Sequence, residues 1–229
     1  MISVIVPAYN EEKRIQNMLN QYGDYFFKRR QDCEIVVICD GHDSTAEIVR
    51  RMAEKYAQIK LFEFASRLGK GGAIIEGFKK SNGDVIGFVD ADEAVHPYQF
   101  EKLLSELKNY DCAIASRRTV GSQILVRQPL KREIVSKIFN IIVNSMFGLN
   151  IKDTQCGAKV FKKEVIESVV PRLKSTGFEF DVELLWRVKS EGFSIKEVPI
   201  TWQHTDKSSF SLKQSPKMFM NLIKRRIGQ

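Results

Sequence analysis

Asp84-Val-Ile-Gly-Phe-Val-Asp-Ala-Asp92 is the stretch on which the fold turns. A short apolar run, too brief for a helix, stops on one acid and meets a second two residues later, which reads as a buried strand ending at Asp90. The same pattern lies upstream. Ile2-Ser-Val-Ile-Val6 is a β-branched run closed by Pro7, Glu34-Ile-Val-Val-Ile-Cys39 ends in Asp40-Gly41, and Lys60 to Phe64 is a third strand. Between them lie helical patterns. Asn10-Glu-Glu12 opens a stretch with Ile15, Met18, Leu19 and Tyr22 at helical spacing. Ser44 and Thr45 are positioned to cap a helix carrying Ile48, Val49 and Met52, with Asp43 the favoured cap, and Gly71 to Lys80 forms another helix. Alternating strands and helices define an α/β chain with a Rossmann-like, mainly parallel central sheet and helices on both faces. Such sheets bind ligands beyond the strand carboxyl ends, where Asp40 and Asp90 stand.

Working outward to the second half, Phe100 to Lys108 reads as a helix and Asp111 to Ser116 as a strand. Arg127 to Asn150 is a long helical stretch with Ile134, Val135, Ile138, Phe139, Ile142 and Met146. From Asp153 to Trp202 the pattern gives a short strand around Gly157 to Phe161, a helix, a Glu-rich helix from Phe180 to Ser190, and a strand ending at Val198-Pro-Ile-Thr-Trp202. No repeat or linker divides the chain, so residues 1–210 read as one domain and 211–229 as a basic amphipathic C-terminal helix.

Composition bounds the function. With 229 residues, 43% hydrophobic and 28% charged, a sizeable core is expected and a disordered or rod-like chain is not. The net charge of +8 favours a polyanionic partner: nucleic acid, an anionic membrane surface or a phosphorylated ligand. Cys33, Cys39, Cys112 and Cys156 are scattered, with neither paired spacing nor zinc-ligand spacing, which fits a reducing cytoplasm. Met1 leads into an apolar run without a basic leader, arguing against a secretory signal, and no apolar segment approaches the roughly 20 residues a bilayer crossing needs.

Alternating side chains send Asp90 and Asp92 off the strand end into the crevice, where hard oxygen ligands suit Mg2+ or Mn2+ bridging a diphosphate. A bare Asp-x-Asp equally fits a solvated loop ahead of a helix at Pro97. Asp40 occupies the place where an open α/β sheet sets an acid for a ribose or base edge, and it also fits a turn residue. Gly69-Lys-Gly-Gly72 opens a helix and offers backbone N–H groups to phosphate, but it lacks full P-loop or Rossmann spacing and reads first as a tight turn.

Taken together and in order, Val6-Pro-Ala-Tyr-Asn-Glu-Glu12, Cys39-Asp-Gly41, Gly69-Lys-Gly-Gly-Ala73 and Val89-Asp-Ala-Asp92 resemble a family 2 glycosyltransferase of the GT-A type. Lys152-Asp-Thr-Gln-Cys-Gly-Ala-Lys-Val-Phe161, Phe180-Asp-Val-Glu-Leu-Leu185 and Glu197-Val-Pro-Ile-Thr-Trp-Gln203 are similar to the dolichyl-phosphate β-glucosyltransferase branch, with the dolichyl-phosphate mannose synthases more distant. The resemblance spans about residues 2 to 210. It implies that Pro7, Tyr9, Glu11 and Asp40 line the nucleotide pocket, joined by Lys70, Asp90 and Ala91 as nucleotide-sugar residues, and that Asp90 and Asp92 hold the metal, Mg2+ or Mn2+. Arg117 then faces a donor or acceptor phosphate. The chain departs from its relatives at Cys39, where an Asp is common, at Ala94, where the mannose synthases carry Gln, and at Lys207-Ser208-Ser209, where relatives show Gly-Ser-Lys.

The implied reaction is inverting transfer of a hexose, glucose from UDP-glucose as first expectation, to a polyprenyl or dolichyl phosphate. Asp92, Arg117, Asp153 and Asp181 are the candidate catalytic residues, Asp153 and either Asp181 or Glu183 orienting sugar or acceptor; helix capping or surface charge is the alternative reading of these three. Residues 131 to 149, with Lys131, Arg132 and Lys137, and a tail where Met218, Phe219, Leu222 and Ile223 alternate with Lys217, Lys224, Arg225 and Arg226, have the pattern of segments lying in an anionic headgroup layer or packing on the sheet. A peripheral place on the cytoplasmic face of a membrane is therefore expected. A soluble acceptor is the competing enzyme reading; a nucleic-acid-binding role lacks any recognisable motif.

Overall fold

The computed structural model describes residues 1–29, 32–126, 129–203, 220 and 222. In chain order the elements are β1 (Ile2–Ala8), α1 (Ile15–Phe26), β2 (Cys33–Cys39), α2 (Thr45–Lys55), β3 (Ile59–Glu63), α3 (Gly69–Lys80), β4 (Val85–Val89) and α4 (Pro97–Glu106). The second half holds β5 (Cys112–Ser116), β6 (Gln123–Val126), α5 (Leu130–Phe147), β7 (Ala158–Lys162), α6 (Lys163–Val169), α7 (Phe180–Ser190), β8 (Ile195–Pro199) and β9 (Thr201–Gln203).

The main sheet runs β3-β2-β1-β4-β7-β5-β8. Side-chain alternation along its strands builds two cores. Val4 and Val6 of β1 face Met18, Leu19 and Tyr22 of α1, Met52 of α2 and Phe100 of α4. Ile5 points to the opposite layer, with Ile74 and Phe78 of α3, Val143 of α5, Val165 of α6 and Leu184 of α7. Strands buried on both sides read as continuous β-branched runs, which is why β1 and β2 are legible from sequence.

The crossover from β3 through α3 carries the chain past β1, so β4 lies on the far side of β1 from β2. This reversal of direction places the crevice between β1 and β4, as expected for an open α/β sheet. Pairing of β1 with β4 stops at Ile5 and Phe88, whereas pairing with β2 continues to Ala8 and Cys39. Pro7, which has no N–H to donate, sits past the last β1–β4 pair, where nothing is lost by that.

Two features depart from the sequence reading. β7 runs antiparallel to both β4 and β5, because it enters from the long α5 and not through a β-helix-β crossover. The expected final strand is split. β8 pairs in parallel with β5, and β9 leaves the main sheet to pair with β6 in a two-stranded sheet that the apolar pattern did not signal. At the start of α2 the expectation that Asp43 is the capping side chain holds. Ser44 sits at the α2 N-cap without a side-chain bond, while Asp43 Oδ1 accepts from Thr45 N at 3.0 Å. Of the C-terminal segment, Leu222 is buried with the α3–α7 layer and Met220 is exposed; the other tail residues lie outside the described ones. Among the described residues, no helix is long and apolar enough to cross a membrane.

Candidate active site at the β1–β4 crevice

Three strand ends supply the frame. After β1, Asn10 takes a left-handed conformation (φ 55°) and its Oδ1 accepts from His42 N at 3.0 Å. Gly41 is packed so closely that a Cβ there would lie 2.6 Å from Asn10 Oδ1, so the turns after β1 and β2 are locked together. Glu11 N donates to Thr45 Oγ1 at 2.8 Å, while the Glu11 carboxylate takes two hydrogen bonds from Arg14, both at 2.8 Å. Burial, with the charges of Asp92 and Asp90 adding to it, raises the Glu11 pKa against the pull of Arg14. Tyr9 is half-buried and its ring lies 3.9 Å under the Arg67 guanidinium.

Asp40 is buried, and its Oδ2 accepts from Leu68 N at 2.7 Å and Gly69 N at 3.1 Å. It therefore anchors the entry to α3. The same helix start is held from the other side by Thr176 O, which accepts from Gly71 N and Gly72 N. Lys70 is thereby fixed in backbone position, and its ammonium reaches across to Asp90 Oδ1 at 3.0 Å.

Asp90 N donates to Gly157 O at 3.0 Å, which pins the β4 end to the loop before β7. Gly157 has to be glycine: a Cβ would fall 1.9 Å from Asp90 Oδ2. Burial pushes the Asp90 pKa up, and the negative charges of Asp92 and Asp181 add to that push against the opposing charge of Lys70. Ala91 is buried in the core, so it faces the crevice through backbone alone. Asp92 Oδ1 accepts from Ala94 N at 3.1 Å, leaving its other oxygen free of any hydrogen bond within this turn. Glu93 adopts φ 63°, held there by α1: Gln21 Nε2 donates to Glu93 Oε2 at 3.0 Å and Asn17 Nδ2 donates to the same oxygen.

Asp153, Asp181 and Glu183 are all buried, which removes the alternative of exposed charges; Asp153 and Asp181 are each 1% exposed. Asp153 grips Arg117 through two side-chain bonds and also accepts from Arg117 N at 3.0 Å. Burial alone would raise the Asp153 pKa, but the Arg117 charge and hydrogen bonds prevail and hold it below the usual carboxylate range. Arg117 lies 5.2 Å over the Trp202 ring. Its neighbour Arg118 donates to Ser136 Oγ at 2.7 Å, tying this corner to α5. Asp181 accepts from Lys159 Nζ at 2.6 Å, and the charges of Lys159 and Lys70 outweigh burial to keep its pKa low. Glu183 accepts from Ser175 N at 2.7 Å and so holds the turn before α7. Asp153 and Asp181 thus reach the crevice through Arg117 and Lys70, not directly.

Among the described residues no three His, Cys, Asp or Glu side chains converge on a metal position. Asp90 and Asp92 would nonetheless suit a Mg2+ or Mn2+ ion, since such ions take one or two protein carboxylates and complete their shell with phosphate oxygens and water. The negative charges crowded at Asp90 are what a cation would relieve. Lys159 and Glu93 are site residues that the sequence reading passed over. A lysine within a buried strand was the available signal for the first, because such a charge is almost never fully buried unpaired. Glu93 carried none, since its backbone conformation is set by α1.

A mainly parallel α/β sheet with an acid pair at the β1–β4 switch point, a lysine and an arginine at the same crevice, and buried acids behind them is an arrangement of the nucleotide-sugar transferase type. The chain belongs to glycosyl transferase family 2, whose pattern it matches over residues 3–170. It is 34% identical over 232 residues to a dolichyl-phosphate β-glucosyltransferase of Trichomonas vaginalis, covering 96% of this chain and 68% of the relative. The dolichyl-phosphate β-glucosyltransferase of Saccharomyces cerevisiae is 32% identical over 245 residues, covering 97% and 73%. In three dimensions the chain is similar to glucosyl-3-phosphoglycerate synthase of Mycobacterium tuberculosis, solved with Mn2+, uridine diphosphate and glucosyl-3-phosphoglycerate. That superposition has a TM-score of 0.73 at 18% identity, over 100% of this chain and 79% of the synthase. It establishes the GT-A fold.

Proposed function

We propose that this enzyme transfers glucose from UDP-glucose to a polyprenyl or dolichyl phosphate with inversion at the anomeric carbon. The observation that carries the reading is the alignment with dolichyl-phosphate β-glucosyltransferases across nearly the whole chain, through the Asp153 to Gly157 loop that pins Asp90 and holds Arg117.

In this reading Pro7, Tyr9, Glu11 and Asp40 border the nucleotide, and the backbone at Ala91 passes beneath it. Asp90 and Asp92 hold a divalent cation, which when bound neutralises charge on the leaving diphosphate. Lys70 and Arg117 face the phosphates. A lipid monophosphate has a second pKa of about 6, so near neutral pH it is largely dianionic and needs no strong general base. The residues' task is to align phosphate oxygen, anomeric carbon and leaving group while excluding water. Arg117, oriented by Asp153 and flanked by Trp202, is the group suited to hold the acceptor phosphate.

The lipid tail must stay in a bilayer while its phosphate enters the crevice. An exposed apolar face supports that requirement: Leu125 on β6 is 64% exposed, Leu130 71% and Ile141 68%, with Ile134 and Ile138 between the last two on one stripe of α5. Patches of this kind on a protein surface mark interaction sites. Residues 1–210 form the catalytic domain in this reading, and the basic 211–229 segment joins the same peripheral contact with the cytoplasmic face.

The test is transfer of labelled sugar from a panel of UDP- and GDP-sugars to a polyprenyl phosphate in detergent, with Mn2+ or Mg2+ and an EDTA control. A metal-dependent glucolipid formed from UDP-glucose is the expected result. Transfer solely to a soluble acceptor, or hydrolysis alone, overturns the lipid-phosphate reading.

A further inference from the structure

Lys70 stands where a cation is wanted. Its Nζ lies 3.0 Å from Oδ1 and 3.2 Å from Oδ2 of Asp90, straddling both carboxylate oxygens. Its second acidic neighbour is Asp181, whose Oδ2 is 3.4 Å away. The other Asp181 oxygen takes Lys159 Nζ at 2.6 Å, and Lys159 also donates to Cys156 O at 2.7 Å. The series Lys159, Asp181, Lys70, Asp90 therefore alternates in sign and balances its own charge.

Neither end of the Lys70–Asp90 pair is free to back away. The α3 entry is tied down by Asp40 Oδ2 at Leu68 N and Gly69 N, and by Thr176 O at Gly71 N and Gly72 N. Asp90 is tied by its own N–H to Gly157 O, with its carboxylate filling the space beside that glycine. Only the Lys70 side chain can swing. A divalent ion on Asp90 has to displace the ammonium from both oxygens, yet Asp181 keeps that ammonium close, and two cations so near each other repel. A diphosphate resolves the conflict, because its oxygens accept from the lysine and coordinate the metal together.

We propose that Lys70 is a resident competitor for the divalent cation at Asp90, so that metal binds tightly only together with the donor diphosphate, which takes the ammonium over. The proposal rests on the reading above that Asp90 and Asp92 hold the cation. It makes Lys70 a positioning residue with two stations: Asp90 in the free enzyme, diphosphate in the loaded one. By linkage, the metal and the nucleotide then each tighten the other's binding by the same factor.

Mn2+ binding to the purified full chain, read by electron paramagnetic resonance with and without UDP, tests this for the wild type, Lys70→Met, Lys70→Gln and Asp90→Asn. Without UDP, both Lys70 variants are expected to bind Mn2+ about tenfold more tightly than wild type or better, and Asp90→Asn to lose the site. A merely structural lysine would give the opposite, weaker binding. Unchanged or weakened Mn2+ affinity in the Lys70 variants overturns the proposal. Gln keeps a hydrogen bond toward Asp181, and thermal melting reports whether each variant is folded. A second measurement needs no variant: the 15N resonance of Lys70 Nζ is expected to move with Mg2+ and UDP together and to stay put with Mg2+ alone. A full shift with Mg2+ alone overturns the proposal. Absence of Mn2+ binding in every protein, with or without UDP, overturns the cation site itself and separates that failure from a failure of the Lys70 competition.

Discussion

Arg117 and Asp153 meet as two parallel hydrogen bonds, Nε to Oδ2 at 2.7 Å and Nη2 to Oδ1 at 2.8 Å, with the Arg117 side chain 15% exposed. The planar fork fixes the guanidinium in one orientation, and in the function proposed above its remaining donors serve the acceptor phosphate. Lysine would not reproduce that geometry.

Removing one partner of such a buried pair leaves the other charge uncompensated, so Asp153→Asn is expected to cost about 3–5 kcal/mol of stability in urea unfolding. The pH dependence has a defined sign. The folded pKa of Asp153 is depressed, so the stabilisation is complete above the unfolded value of about 4 and is lost as pH falls through the lower folded value. Melting curves between about pH 5 and pH 3 should therefore fall more steeply for the wild type than for Asp153→Asn. Parallel curves would show that the pair contributes nothing to acid sensitivity.

Gly157→Ala tests the seat of the acid pair. The new methyl would stand 1.9 Å from Asp90 Oδ2, in the space the carboxylate fills, and so would force the acid out of its seat. Transfer activity is expected to fall about a hundredfold or more, since misplacing a reacting group by about 1 Å has that effect. Wild-type turnover in a folded Gly157→Ala protein would mean that the position of Asp90 is not critical.

Much of this site was legible because the strands ending at Cys39 and Val89 are continuous apolar runs that stop on acids. Burial on both faces writes that pattern into sequence directly. Asp153 and Asp181 were legible as important and illegible in role, since nothing local says that Arg117 lies opposite one and Lys159 opposite the other, across sequence separations of 36 and 22 residues. The β6–β9 pair was hidden for a different reason. All four β6 residues are exposed, so no alternation of apolar and polar side chains marks that strand.

Glu93 offers a third test. A non-glycine residue at φ 63° carries a conformational cost of order 1 kcal/mol or more, here offset by the bonds from Asn17 and Gln21. Glu93→Ala frees the turn that carries Asp92. The Mn2+ concentration for half-maximal transfer is expected to rise about five- to tenfold, with rescue at saturating metal and recovery in Glu93→Gln, whose amide oxygen still accepts; these factors correspond to about 1–1.4 kcal/mol. An unchanged metal requirement would leave the clamp without a functional role.

Substitutions on the α5 stripe separate the proposed membrane contact from folding. Leu130, Ile134, Ile138 and Ile141 recur at helical spacing on the exposed side of α5, while Val143 and Phe147 face the core. Lys137 flanks the stripe and pairs with Glu133 at 2.8 Å. Because these apolar side chains are already in water, replacing Ile134, Ile138 and Ile141 by Ser should alter stability by only about 0.5 kcal/mol per site. Each isoleucine that enters the headgroup boundary contributes apolar burial worth roughly 1.5–3 kcal/mol when complete, so the triple variant should lose most binding to anionic phospholipid vesicles in sedimentation. Transfer to a polyprenyl phosphate embedded in those vesicles should fall in parallel, while transfer to the same acceptor in detergent is retained. Equal sedimentation of wild type and triple variant would move the membrane contact away from α5.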